Sequence, residues 1–132
     1  MQTSTTTSDL VVLLLLLAGC DQRAAVKEKY CYYAGTVKKL IAIYDSEGDA
    51  RLPASEQMVE IALAYTKISR PEHDASGFEN QLWDQAAKLQ EAIDGESRRV
   101  IANPVKRKLE VFEAVSMQSR HFLAVYEGRR AN

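Results

Sequence analysis

Residues that commonly carry catalysis or bind metal are scarce in this chain, which has two histidines and two cysteines among 132 residues. His73 and His121 lie on different segments, and their surroundings show no cysteine or carboxylate spacing typical of a zinc site. The sequence also lacks a glycine-rich phosphate loop and a Gly-x-Ser-x-Gly elbow. A formal net charge of −1 provides no basic excess for a nucleic acid. We therefore expect neither enzymatic activity nor a nucleic-acid partner.

Glycine and proline are also few, and alternating apolar runs of strand length are absent. Pro53, Pro71 and Pro104 stand where helices should begin or end. Elsewhere apolar side chains recur at intervals of three and four residues, which is the spacing of one helix face. Four such stripes with short connections predict an all-α fold, an antiparallel four-helix bundle. The stripes span Tyr30–Tyr44, Met58–Ile68, Phe78–Ile93 and Val105–Tyr126.

The stripes also predict boundaries and core positions. An acidic turn at 45–49 should separate the first two helices, and Gly95 should stop the third. Leu89 and Phe112 lie on the third and fourth stripes, so we expect both to be buried.

The chain has one continuous apolar run near its N-terminus, and that run ends in Leu17-Ala18-Gly19-Cys20. This sequence resembles the lipobox of bacterial lipoproteins, in which a hydrophobic stretch and two small residues precede a cysteine. The run begins at Leu10 and is too short for a spanning helix, which needs about 20 apolar residues. No lysine or arginine precedes it, whereas such signals usually begin with positive charge. The alternative is an uncleaved apolar segment that packs on the body of the protein.

The resemblance implies that residues 1–19 form a cleaved signal peptide and that residues 20–132 form one helical bundle domain. Cys20 would carry a diacylglyceryl group, with palmitate-type chains that anchor the protein in a membrane of the bacterial cell envelope. Asp21 resembles the residue that retains lipoproteins in the inner membrane, which favours the inner over the outer membrane. Cys31 would remain as an odd thiol. We expect it to be half-buried, with pairing between chains as the alternative.

A second resemblance lies in the acidic turn, where Asp45–Glu56 resembles the twelve-residue EF-hand calcium loop over a region from Val37 to Ala64. The turn departs from that motif at position six, where Ala50 replaces the usual glycine, and no second loop is present to pair with it. The alternative is a solvated acidic connection between two helices. The predicted calcium ligands at positions one, three, five and twelve are Asp45, Glu47, Asp49 and Glu56.

Charge is distributed unevenly along the chain. Residues 45–96 have twelve acidic and four basic side chains, net −8, whereas residues 97–132 have eight basic and three acidic, net +5.

Large apolar residues also stand outside the main stripes, among them Tyr32, Val59, Leu63 and Trp83, and such residues serve as anchors in protein interfaces. We therefore expect a membrane-anchored envelope lipoprotein that acts as a small helical protein-binding module of an accessory, assembly or immunity type. The alternative is a calcium-responsive lipoprotein.

Overall fold

The computed structural model describes the backbone of residues 3–46, 51–102 and 113–129, and the side chains of residues 23–46, 53–97 and 113–129. Every regular element in these ranges is a helix, which confirms the all-α prediction. The helices are α1 (Thr3–Asp45), α2 (Arg51–Thr66), α3 (Gly77–Ala102) and α4 (Glu113–Glu127).

Contacts between side chains show that the helices run up and down as an antiparallel bundle. Gln57 Nε2 of α2 donates to the carbonyl oxygen of Thr36 on α1 at 2.9 Å. Tyr126, near the end of α4, donates its hydroxyl to the carbonyl oxygen of Lys27, near the start of the bundle part of α1. Helices adjacent in sequence pack together, and α4 returns to pack against α1, so the four helices form a closed ring.

The core follows the stripes that the sequence predicts. On α1 the side chains at three- and four-residue steps are buried, and Leu89 of α3 is fully buried as predicted. An aromatic cluster lies at the centre, where the rings of Tyr33 and Phe122 meet edge to face with centroids 4.9 Å apart. The fully buried large side chains are Tyr30, Tyr33, Val37, Leu40, Ile61, Leu82, Leu89, Val115 and Phe122.

One predicted boundary is wrong, because α3 continues through Gly95 to Ala102. A glycine inside a helix costs about 1 kcal/mol relative to alanine, which is too little to end a helix whose other residues are packed. Ile93 and Glu96 on either side of Gly95 are both buried, and their packing keeps this turn helical. The predicted core residue Phe112 and the stripe residue Leu109 lie outside the described residues.

The ends of two helices have local signals. Ser76 precedes α3, and its hydroxyl oxygen accepts a hydrogen bond from the backbone N–H of Glu79. Ser76 is therefore the N-cap of α3. Gly128 follows α4 with a φ of 72°, a conformation that glycine adopts without steric cost. The N–H groups of Gly128 and Arg129 bond to the carbonyl oxygens of Val125 and Ala124, so α4 ends in a Schellman motif.

At the N-terminal end, the backbone of the apolar run is helical and continuous with the bundle part of α1. Cys20 therefore stands on the same helix as the core residues Tyr30 and Tyr33, about ten to thirteen residues before them. Among the residues the structure describes, no helix is long and apolar enough to cross a membrane.

We expect Phe122→Ala to lower the free energy of unfolding by about 3–5 kcal/mol, because the buried ring joins α4 to α1 and its removal leaves a cavity. Urea denaturation followed by circular dichroism measures the change. Met117→Ala on the same helix is the control, since Met117 is half exposed and its loss should change stability by about 0.5 kcal/mol or less. Equal losses for the two variants would contradict the packing of α4.

Candidate binding groove

An apolar groove of about 510 Å³ lies on the side of the bundle between α2 and α3. Of the neighbouring helix pairs, α2 and α3 share the least contact, and the groove occupies the space between them. Its walls and floor are mainly aliphatic on the α2 side and mixed on the α3 side. The lining residues are Ser55, Met58, Val59, Ala62, Leu63 and Thr66 on α2, and Gln90, Ile93, Asp94, Glu96 and Ser97 on α3.

The groove exists because α2 has a wider apolar arc than the core can cover. Met58 and Ile61 point into the core and are buried. Val59 and Leu63 are each rotated by about 100° or more from these positions, which places them outside the core contact. Ala62 lies between the two sets, and its methyl group is too short to fill the space towards α3. The same helix therefore supplies both a core face and an open apolar face.

Two large apolar side chains on this face of α2 are more than half exposed. Val59 retains 58% of its possible exposure and Leu63 retains 53%. Single exposed apolar residues are common on protein surfaces. These two are four residues apart, so they are neighbours on one helix face, and both continue into the groove. A continuous apolar surface of this kind is typical of a protein interaction site.

The groove also has a negative charge. Asp94 is exposed at its edge, while the carboxyl group of Glu96 is almost fully buried within it. Tyr44 is on α1, and burial raises the pKa of its hydroxyl. The negative charge of Glu96 raises this pKa further, so Glu96 is also close to α1. Among the described lining residues there is no lysine or arginine. Gln90 Nε2 donates a hydrogen bond to Asp94 Oδ1 at 3.0 Å, so the groove combines an apolar surface with polar and acidic residues of α3.

The predicted calcium ligands are only partly within the described residues. Asp45 is the last residue of α1, and its carboxylate accepts a hydrogen bond from Arg120 Nη2 of α4 at 2.8 Å. Glu56 is exposed on α2, while Glu47 and Asp49 lie outside the described residues. In the described part of the chain, no group of three or more His, Cys, Asp or Glu residues is arranged to hold a metal. Calcium binding at this turn stays a prediction.

The predictions for the two cysteines have different outcomes. The side chain of Cys20 lies outside the described residues, so its lipidation stays a prediction. Cys31 is a free thiol on the outer face of α1 and is exposed, so the expectation that it is half-buried is wrong. It follows the fully buried Tyr30 by one residue, a rotation of about 100° that turns it out of the core.

Two other apolar residues that the sequence offers as partner contacts, Tyr32 and Trp83, differ in the structure. Tyr32 is 62% exposed on α1, where the ammonium group of Lys67 lies 5.6 Å from the centre of its ring. Trp83 is half-buried, and its ring stacks on that of Tyr65 with centroids 5.4 Å apart. Trp83 therefore joins α3 to α2 at the rim of the core and is a structural residue rather than a free anchor.

Buried hydroxyl groups form the other polar feature of the interior. Tyr30 and Tyr33 are almost completely buried, and neither hydroxyl has a hydrogen-bond partner among the described residues. Desolvation by burial raises the pKa of both tyrosines, so their neutral forms are favoured in the folded protein. These hydroxyls lie within the helix core and do not line the groove.

We expect Tyr33→Phe to raise the free energy of unfolding by about 1–2 kcal/mol, because it removes a buried hydroxyl that lost its hydration without gaining a partner. Thermal or urea denaturation measures the change. Tyr32→Phe makes the same chemical change at an exposed position of the same helix and should leave stability unchanged. A loss of stability in Tyr33→Phe would mean that its hydroxyl makes a hydrogen bond.

Comparisons with known proteins identify no family, since no protein-family model matches the chain and no curated protein or solved structure is significantly similar to it. Function is therefore inferred from the groove and from the N-terminal sequence.

Proposed function

We propose that this protein is a lipid-anchored bacterial envelope lipoprotein whose helical bundle binds another protein through the groove between α2 and α3. The observation that carries the proposal is the half-exposed pair Val59 and Leu63 on one edge of a continuous apolar groove. Burying a valine or leucine side chain completely contributes about 1.5–3 kcal/mol. Burial of the exposed parts of Val59 and Leu63 by a partner would therefore contribute to the free energy of binding.

The anchoring part of the proposal is supported by the sequence at 17–20, which resembles a lipobox. Cleavage before Cys20 would leave that residue at the start of α1, three residues before Arg23. Asp21 favours retention in the inner membrane.

The direction of the helices is compatible with both membrane anchoring through Cys20 and binding of a partner in the groove. A lipid on Cys20 would place the membrane at the end of the bundle that holds the start of α1, the connection between α2 and α3, and the end of α4. From Cys20 to Asp45, α1 rises about 37 Å at 1.5 Å per residue. The groove lies along the side of the bundle and extends to Ser55 and Ser97 at the opposite end, so it would stay accessible to a partner.

We expect Cys20→Ser to abolish incorporation of a clickable palmitate analogue and to leave the uncleaved precursor, because the serine hydroxyl cannot form the thioether. Labelling of whole cells followed by gel electrophoresis measures both. Cys31→Ser is the matched control, since it removes the chain's other thiol and should keep labelling and processing. Unchanged labelling in Cys20→Ser would contradict the lipobox interpretation.

We expect a photoreactive amino acid at position 63 to cross-link a discrete partner in intact envelope membranes, because Leu63 lies at the open edge of the groove. The same amino acid at position 88 is the control, since Lys88 is exposed on α3 and does not line the groove. Irradiation and immunoblotting give the result. The Val59→Asp substitution should remove the cross-link at position 63. An equal pattern at both positions would contradict a groove-directed partner.

A further inference from the structure

Resting on the proposed protein-binding function, we infer that the partner at the open edge of the groove is a second copy of this chain, which pairs antiparallel through the outer face of α2. The outer face consists of five exposed residues, Val59, Glu60, Leu63, Thr66 and Lys67. Their order along the helix identifies the partner.

Leu63 lies at the centre of the outer face. It is two residues from the fully buried Ile61, a rotation of about 200° around the helix axis, so its side chain points away from the core. Val59 precedes it by four residues and is its neighbour on the helix surface. Both side chains are more than half exposed, and they form the apolar part of the surface that a partner would cover.

The charged residues of the outer face stand on opposite sides of Leu63. Glu60 precedes Leu63 by three residues, and Lys67 follows it by four. Lys67 continues the last turn of α2, since its N–H bonds to the carbonyl oxygen of Ala64. Seven residues turn a helix by about 700°, which is nearly two full turns, so Glu60 and Lys67 lie along one edge of the face, about 10 Å apart.

Neither of these charges is neutralised in the part of the chain that the structure describes. Glu60 and Lys67 form no ion pair with any described residue. The ammonium group of Lys67 lies 5.6 Å from the centre of the Tyr32 ring on α1. That ring is neutral, so it positions the lysine without cancelling its charge. Both charges can therefore pair with those of a partner.

The order of these residues is self-complementary under a two-fold axis that passes close to Leu63. In an antiparallel pair of α2 helices about such an axis, a residue before Leu63 faces a residue about equally far after Leu63 in the other copy. Leu63 then meets its counterpart, Glu60 faces the partner's Lys67, and Val59 packs beside the partner's Thr66. A parallel pair would leave like charges level with each other, so the charges select the antiparallel arrangement.

Tyr32 of α1 extends the same surface. Its ring is 62% exposed and stands beside Lys67, at the edge that the partner's Glu60 approaches. A second copy would therefore cover Tyr32 together with Val59 and Leu63. A lipid chain could cover the apolar side chains, but it would leave the matched charges of Glu60 and Lys67 without a partner.

The antiparallel pair is compatible with anchoring in one membrane. The two-fold axis keeps both α1 helices on the same side of the dimer, because the edge with Glu60 and Lys67 adjoins α1 in each copy. The two copies of Cys20 stand towards opposite ends of that side. A single anchored copy has the membrane at one end, whereas the anchored dimer lies with both bundles along the surface.

The test measures self-association of the full chain by sedimentation equilibrium in a neutral detergent, under reducing conditions that keep Cys31 a thiol. Glu60→Lys gives a chain with two positive charges on this edge, and Lys67→Glu gives a chain with two negative charges. We expect each variant alone to associate at least about ten-fold more weakly than the original chain, because like charges then face each other. The difference should shrink as salt rises.

An equimolar mixture of these two variants is the decisive measurement. Each copy then supplies the charge that the other lacks, so the mixture should recover most of the affinity of the original chain. A mixture that associates no better than either variant alone would overturn the inference.

Two further variants locate the contact. Leu63→Ala should weaken self-association several-fold, because it removes the apolar side chain next to the two-fold axis. Glu91→Lys makes the same charge change as Glu60→Lys at an exposed position of α3, and it should alter the affinity by less than about two-fold. An equal effect of Glu60→Lys and Glu91→Lys would contradict pairing through α2.

The outcomes separate this inference from the function on which it rests. A second copy predicts that the photoreactive amino acid at position 63 gives a product of twice the mass of the chain. If the product has another mass and the charge variants do not alter self-association, the second copy is wrong and the protein-binding function stands. If position 63 gives no cross-link and the chain stays monomeric in detergent, the proposed function fails with the inference.

Discussion

The contact between Tyr33 and Phe122 is the interaction on which the rest of the bundle depends. It joins the first helix to the last, which closes the ring of four helices. Tyr33 also lies 6.4 Å from Tyr65 on α2, and Tyr65 stacks on Trp83 of α3, so one aromatic cluster contacts all four helices. Aromatic side chains bury large areas and pack in defined orientations, so this cluster can set the spacing of helices that are joined elsewhere by aliphatic contacts and a few polar ones.

The groove lies beside this aromatic cluster. The rings are concentrated at the end of the bundle where the bundle part of α1 begins and α4 ends. There the stack of Tyr65 on Trp83 holds α2 and α3 together. Beside this stack, small or flexible residues of α2 such as Ala62 and Met58 line the groove, and α2 and α3 share less contact than the other neighbouring helix pairs. The groove is the space that these side chains leave open.

Charged side chains form pairs between the helices. The ammonium group of Lys29 on α1 lies 2.6 Å from the carboxylate of Glu79 on α3, and Arg120 pairs with Asp45, so some of the basic charge of the outer helices is used within the bundle. Exposed pairs such as Arg120 with Asp45 contribute only about 0–1 kcal/mol. Asp94 lines the groove, where its carboxylate accepts a hydrogen bond from Gln90 Nε2 of the same helix at 3.0 Å. Part of the acidic charge in the middle of the chain is therefore used within the bundle.

The sequence by itself determined the helical class and most of the core, because a three- and four-residue apolar period specifies one buried face whatever the partner helix is; Leu82 and Leu89 follow directly from it. The interpretation of Cys20 also depends on sequence alone, since a lipobox is recognised as a short linear motif. Only the tertiary structure decided that Val59 and Leu63 border an open groove, because their cover depends on the distance between α2 and α3. It likewise decided that α3 continues through Gly95, where packing outweighs a small local cost.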